Sequence, residues 1–319
     1  MTTVLKTDAV IELDDAERSL IAEIPARLVE LPCSTEDELV AHARGADAIL
    51  TLDEPFTARV VDALERCRVI SRFGIGVDRV DVEAATRKGI VVANVPDACV
   101  DEVSDHALAL LLASSRRVRA LDRAVRAGVW STLGVAGEVR RLRGQVLGVV
   151  GFGRTGRAFA EKAAALGLRV VAHDRYVDAD VIRSAGAEPV ALAELLERSD
   201  WISLHLPLTH ETRHLIDAAA LSRTKPTAVL INTARGGLVD QAALVATLRD
   251  GTLAGAALDV FEREPPAPDD PLLELDNVLL TSHAAFYSVE AAAEVRSRAV
   301  ENVARVLRGR EPLAAVNRP

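Results

Sequence analysis

Three segments carry side chains suited to moving a proton and holding an anion: INTARGGLVD with Arg235, DVFEREPP with Glu264, and TSHAAFYS with His283. A planar guanidinium can clamp a carboxylate through paired hydrogen bonds, an imidazole exchanges a proton near neutral pH, and a carboxylate can hold that imidazole in place. Taken singly, each has an ordinary explanation: arginine and glutamate mostly sit on solvated surfaces, and a lone histidine beside an apolar run is mostly structural. A fourth segment gives them a common purpose. In GVVGFGRTGRAFA, Gly151, Gly153 and Gly156 have the spacing GxGxxG directly after an apolar run and at the opening of a helical pattern. There the first glycine makes a tight turn, the second admits a pyrophosphate and the third packs helix on strand. Asp174 lies 18 residues beyond the last of these glycines, where a carboxylate can accept from both hydroxyls of an adenosine ribose. The same charge would repel a 2′-phosphate and so favours NAD over NADP, whereas Arg175, next in sequence, acts in the opposite sense. A dinucleotide site admits hydride chemistry, and a proton donor with an anion clamp completes what reduction of a carbonyl beside an anionic group requires.

The elements that must position these residues follow from the apolar pattern. Runs at 145–151, 168–174, 201–205, 228–232, 254–260 and 278–282 read as strands, with helices over 154–167, 191–198, 214–222 and 240–250, an alternation that builds a parallel sheet. Asp174, His205, Thr233 with Arg235, Asp259 and His283 all fall at or just past the carboxyl end of one of these strands. Open α/β sheets bind their ligands at that edge. Loops carry polar residues anyway, which accounts for any one of the five more easily than for all of them. Before residue 100 a second alternation predicts strands near 27–31, 47–51, 68–73 and 90–93 and helices near 14–24, 35–44, 57–65 and 81–88. The stretch EVSDHALALLLASSRRVRAL predicts one helix from about 100 to 122, apolar on most sides in its middle and therefore buried between domains or subunits. A last helix over 289–308 ends at Gly309 and is expected to cross back onto the first domain. The expected fold is α/β, with two Rossmann-like or flavodoxin-like domains of doubly wound parallel sheet. Residues 1–100 and 289–319 would bind substrate, and 101–288 would bind NAD.

Composition excludes several classes. The 319 residues exceed one typical domain. With 47 acidic and 38 basic residues and a formal net charge of -9, the chain offers no general surface for nucleic acid or an anionic membrane, so a small anionic substrate needs a local arginine. Cys33, Cys67 and Cys99 are odd in number and widely spaced, which suggests neither a disulfide framework nor a thiolate zinc site and fits a reducing compartment. His205, His210 and His214 straddle a strand end, a loop and a helix start, so no metal site is expected. Acidic residues interrupt the N-terminal segment where a signal peptide needs an apolar core, and no run of 18 apolar residues occurs, so a cytoplasmic location is expected.

Together the motifs resemble the NAD-dependent D-2-hydroxyacid dehydrogenases, the family that includes phosphoglycerate dehydrogenase. The resemblance covers nearly the whole chain and rests on RFGIGVDRVD (72–81), NVPDACVDEVSDHALALLL (94–112), GVVGFGRTGR (148–157), SDWISLHLPLTHETRHLI (199–216), INTARGGLVD (231–240), ALDVFEREPP (257–266) and SHAAFYS (282–288). It implies that Arg235, Glu264 and His283 are catalytic, and that Gly74, Ile75 and Gly76 offer backbone N–H groups to a substrate carboxylate. It further implies that Val103, Gly151, Gly153, Arg154, Thr155, Gly156, Asp174, Arg175, His205, Pro207, Thr212, Thr233, Ala234, Arg235, Asp259 and His283 lie along the cofactor. Hydride from NADH would reach the carbonyl carbon of a 2-oxo acid while His283 gives its proton to the oxygen. Glu264 would favour the charged imidazole, Arg235 would clamp the carboxylate, and Asp259 would accept from the nicotinamide carboxamide. Arginine in RFGIG and an aromatic three places past the histidine are similar to the C-terminal-binding-protein subgroup. That similarity makes Arg72 a second cation for the carboxylate and Phe286 an apolar wall of the pocket, and it raises an NAD(H)-sensing interaction protein as the alternative function. The resemblance also implies a homodimer formed through the helix around 104–121 and the stretch near Trp130, and domain closure around hinges near residues 100 and 288.

Overall fold

Strand Val146–Val150 is buried at all five positions, as a run apolar on both faces demands when helices cover both sides of a sheet. The same holds for Ala48–Thr51, Val69–Arg72, Trp201–Leu204 and Gly255–Leu258. A computed structural model describes residues 1–319, which divide into two compact units, Met1–Ala98 with Ser288–Pro319, and Cys99–Tyr287.

The first unit contains β1 (Thr2–Lys6), α1 (Asp15–Ala22), β2 (Ala26–Glu30), α2 (Glu36–Ala43), β3 (Ala48–Thr51), α3 (Ala58–Ala63), β4 (Val69–Arg72), α4 (Val82–Arg87) and β5 (Val91–Ala93). Its five parallel strands take the order β2-β1-β3-β4-β5, the flavodoxin-like arrangement. Alternate strand residues point to opposite faces. Leu5, Ile49 and Ile70 pack with Leu39 of α2, Val60 of α3 and Ala84 of α4. Val4, Leu50 and Val69 pack with Ile21 of α1 and with Val295, Ala299 and Val303 of the chain's last helix. That helix completes the unit, and the Arg68 guanidinium caps it by donating to the carbonyls of Val306 and Leu307.

The second unit runs α5 (Val100–Ser115), α6 (Val118–Arg126), α7 (Thr132–Ala136), β6 (Val146–Val150), α8 (Arg154–Ala165), β7 (Arg169–His173), α9 (Ala179–Ser184), β8 (Glu188–Pro189), α10 (Leu192–Arg198), β9 (Trp201–Leu204), α11 (Ala218–Leu221), β10 (Val229–Asn232), α12 (Gln241–Asp250), β11 (Gly255–Leu258) and β12 (Val278–Leu280). The last helix, α13 (Val289–Leu307), returns to the first unit. Seven parallel strands take the order β12-β11-β10-β9-β6-β7-β8. The order reverses between β6 and β9, and at such a switch point the carboxyl ends of the two strands open a crevice.

Strands β1 and β8 and the short helices α7 and α9 are absent from the sequence expectation, and two expected helices are shorter than foreseen. The helix expected over 100–122 ends at Ser115, because Arg117 adopts a left-handed backbone with φ of 53° and starts α6 in a new direction. The buried residues Ala107, Leu110 and Leu111 of α5 pack against the sheet and α8 of their own unit, while Leu108 and Leu112 of the same helix are only partly buried. The helix expected over 214–222 is confined to Ala218–Leu221, with His214 also left-handed.

Candidate active site

Every residue of the chemical set in the second unit follows a strand of the seven-stranded sheet. Behind β6 the glycine turn is closely fitted. A Cβ on Gly151, whose φ is 90°, would lie 2.4 Å from the carbonyl oxygen of His205, and one on Gly156 would lie 2.1 Å from that of Gly151. Nothing lies within 4 Å of the Cβ position of Gly153, which leaves room above the turn. Gly153 caps α8, so the first-turn N–H groups at Arg154 and Thr155 lack partners within the helix, and the helix dipole adds partial positive charge. After β7, one oxygen of Asp174 accepts from the Phe152 N–H at 2.7 Å and the other from the N–H groups of Tyr176 and Val177. These bonds hold the carboxylate beside the glycine turn. Arg175 turns to Glu211, 2.7 Å away.

His205 follows β9. Its backbone N–H donates to Val150, its Nε2 lies 2.8 Å from the Ser203 hydroxyl and its ring lies 5.1 Å from that of Phe159. Burial pushes its imidazole down to about 3, so it stays neutral. Pro207 and Thr212 belong to the next loop, where the Thr212 hydroxyl donates to the Pro207 carbonyl and closes the turn. After β10, the Thr233 hydroxyl is buried with no protein partner. An orphaned buried polar atom at that edge suits a bound ligand, and with the glycine cradle it fits a dinucleotide. Val103 lies in the first turn of α5, partly exposed.

Arg235 and Glu264 are brought together by a close backbone approach. A Cβ on Gly236 would lie 1.9 Å from the carbonyl of Phe261, so only glycine lets the turn Thr233-Ala234-Arg235 press against the segment leading to Glu264. Asn232 fixes the turn, accepting from the Ala234 N–H and donating to the Arg235 carbonyl. Glu264 Oε1 accepts from the Phe261 N–H at 2.9 Å, and Oε2 stands 2.7 Å from His283 Nδ1. Burial raises the Glu264 carboxyl, but the hydrogen bonds from His283 and Phe261 and the charges of His283 and Arg235 outweigh it and hold the group below the ordinary carboxylate value. Phe286 is 38% exposed, with its ring 6.4 Å from that of His283 and edge-on to it, so it is not a core residue.

Asp259, which the resemblance places at the nicotinamide carboxamide, is fully buried, and its oxygens take the Thr281 hydroxyl at 2.6 Å and the N–H groups of Ala284 and Ala285, each at 2.9 Å. Thr281 in turn lies 3.0 Å from Nε2 of His106. Neither Thr281 nor His106 was assigned a part, and the only signal was their company, a hydroxyl and an imidazole flanking an otherwise apolar helix and strand.

In the first unit, Arg72 is 7% exposed and donates to Asp53 at 3.3 Å. The N–H of Gly74 is taken by the Arg72 carbonyl and the Ile75 carbonyl by the Asn94 side chain.

A glycine turn at the switch point of a parallel sheet marks a dinucleotide-binding protein, and the second unit is of that class. Its residues 108–285 match the family described as D-isomer specific 2-hydroxyacid dehydrogenase, NAD binding domain. A glyoxylate reductase of Korarchaeum cryptofilum is 42% identical over 285 residues, covering 88% of this chain and 85% of that protein. A D-3-phosphoglycerate dehydrogenase of Methanocaldococcus jannaschii is 39% identical over 287 residues, covering 89% of this chain but 54% of the relative, about half of its length. The crystal structure of Aquifex aeolicus D-lactate dehydrogenase, complexed with NAD and lactic acid, superposes with a TM-score of 0.89 at 29% identity over 99% of each chain. The chain belongs to the D-isomer specific 2-hydroxyacid dehydrogenase family, and it is an NAD-dependent enzyme of that family.

Proposed function

We propose that the enzyme reduces small 2-oxo acids to D-2-hydroxy acids, and runs the reverse, with His283 as the acid and base. The observation that carries this reading is the 2.7 Å contact between His283 and Glu264, both at the carboxyl edge of the sheet that carries the glycine cradle. When bound, NADH supplies the hydride. His283 gives the proton to the carbonyl oxygen through Nε2, since Nδ1 is engaged by Glu264. Glu264, anionic under its own hydrogen bonds, orients the ring and favours the imidazolium that reduction consumes. Arg235, close enough to Glu264 to lower its proton affinity, binds the substrate carboxylate and draws charge from the adjacent carbonyl. Phe286 excludes water beside the imidazole. Cofactor contacts fall to the glycine turn, Asp174 and Thr233, with the homologous relatives' activities supporting glyoxylate and other compact 2-oxo acids as substrates.

The alternative, an NAD(H)-sensing interaction protein, rests on Arg72 and Phe286 alone, whereas the relatives described above bear the names of enzymes. A spectrophotometric panel of glyoxylate, pyruvate, hydroxypyruvate and phenylpyruvate with NADH and NADPH tests the proposal. Rapid NADH oxidation with at least one of them is expected; tight NADH binding with negligible turnover throughout would favour the sensor.

A further inference from the structure

We propose that Glu211 is a determinant of the preference for NAD over NADP, acting by holding Arg175 in an ion pair and so withdrawing the cation that a 2′-phosphate would need. The inference rests on the ribose site at Asp174 and goes beyond it, because Asp174 acts through its own charge whereas Glu211 acts through a neighbour. Arg175 directly follows Asp174, which puts a guanidinium within reach of the ribose edge. Its Nη1 lies 2.7 Å from Glu211 Oε2, and its guanidinium carbon stands 5.8 Å from the centre of the Tyr176 ring. The Tyr176 hydroxyl lies 3.4 Å from the same Glu211 oxygen, so the three side chains form one cluster.

Glu211 is carried on a braced loop. The Thr212 hydroxyl donates to the Pro207 carbonyl at 2.7 Å and accepts from the Thr209 N–H at 2.7 Å. Beyond it, His214 Nε2 stands 2.6 Å from Glu262 Oε1, which fastens the far end of the loop to the segment after β11. The carboxylate is therefore offered to Arg175 from a defined position rather than by a wandering side chain. A 2′-phosphate would be dianionic and would bind best to an unengaged arginine. With Glu211 present it meets a guanidinium already neutralised by its ion pair. Arg175 and Glu211 are both well exposed, and exposed ion pairs are weak, so the device shifts the preference by a modest factor rather than imposing it.

The test is direct titration of NADH and NADPH, followed by nucleotide fluorescence, against the full-length wild type, Glu211→Gln, and the double variant Glu211→Gln with Arg175→Ala. Glu211→Gln keeps the shape of the side chain and frees the guanidinium. NADPH affinity is expected to rise roughly three- to tenfold in Glu211→Gln, with NADH affinity little changed, and to fall back in the double variant. Unchanged NADPH affinity in Glu211→Gln would overturn the proposal. So would a gain that persists after Arg175 is removed, since simple charge repulsion would then explain it. Failure of the wild type to bind either nucleotide would instead refute the cofactor site on which the inference stands.

Discussion

The backbone N–H of His283 donates to the Asp259 carbonyl at 2.7 Å, while the Asp259 carboxylate gathers the N–H groups of the two residues that follow the histidine. Successive backbone donors wrapped around one anion form a nest, and such a nest sustains the left-handed backbone of His283, whose φ is 53°. For a residue with a Cβ this conformation is uncommon and costs about 1 kcal/mol or more. Here a buried charge compensates for it, and the strained turn aims the imidazole at Glu264.

Asp259→Asn should therefore act through His283. Replacing one acceptor oxygen by a donor leaves the Ala284 or Ala285 N–H facing an amide NH2, which should lower stability by about 2 kcal/mol. It should also reduce kcat more than it weakens NADH binding. Urea unfolding and steady-state kinetics on the same preparation check both; a variant as stable as the wild type would show that the nest does not depend on the charge.

His283→Ala removes the proton donor but leaves the glycine cradle and Asp174 in place. Turnover should fall by a factor on the order of 100 to 10,000, with NADH still bound. Comparison of NADH titration with the kcat of any good 2-oxo acid separates the two effects, and an unchanged kcat would remove His283 from the reaction.

How far the sequence reveals these arrangements depends on what kind of signal each one leaves. Strands such as Val146–Val150 and Trp201–Leu204 were legible because burial on both faces leaves a continuous apolar run. Thr2–Lys6 is only half apolar, TTVLK, and Glu188–Pro189 is two residues long, so neither leaves a pattern. The break after Ser115 falls in SSRRVRAL, which has neither glycine nor proline; the chain turns there by placing Arg117 in a left-handed conformation that residue type does not announce. At the site, type and position after strands single out Arg235, Glu264 and His283 only as candidates, each with an ordinary structural explanation, and the family resemblance is what joins them. The inward turn of Asp259, and its support by Thr281 and His106, arise from contacts 22 and 175 residues apart in sequence, which no local pattern encodes.

Glu264 gives a pH dependence with a defined sign. Its carboxyl is held below the ordinary value of 4.5, so the unfolded chain takes up a proton at higher pH than the native one does. The stabilisation from this group is complete above about 4.5 and is lost as pH falls through the lower native value, together with the charged acceptor that faces His283. Glu264→Gln should cost roughly 10- to 100-fold in kcat at neutral pH and should abolish the part of the acid limb that belongs to this carboxyl. Parallel pH profiles of kcat for wild type and variant decide it: superimposable acid limbs would assign that limb elsewhere.

His205 predicts a second acid effect, in stability rather than rate. Native His205 titrates at about 3 against 6.5 for the free side chain. Below 6.5 the unfolded chain gains a proton that the folded one refuses, so stability is complete above that pH and declines as pH drops toward 3. His205→Gln has no such proton to refuse, and its stability should decline less between pH 7 and 5. Urea midpoints at the two pH values measure the difference, and equal declines would mean that the imidazole is not desolvated.

The helices after the Arg117 turn carry the last prediction. In α6 no residue is buried, and Val118 and Val125 are each 52% exposed; beyond it Val129 is 47%, Trp130 90% and Leu133 86% exposed. Apolar side chains scattered singly over a surface need no explanation, but here five fall within 16 residues of chain, including a nearly bare tryptophan, and that segment is the one we propose as a contact. The family resemblance implies a homodimer, so a second copy of the chain is the occupant we propose for this segment. The protein should therefore run as a dimer at micromolar concentration. Trp130→Glu combined with Leu133→Glu places two charges in that contact and should yield a monomer that still binds NADH, because neither residue lies near the glycine turn in sequence or in the sheet edge that carries it. Light scattering coupled to size exclusion reads the mass directly: a monomeric wild type, or a double variant that stays dimeric, would place the dimer contact elsewhere or nowhere.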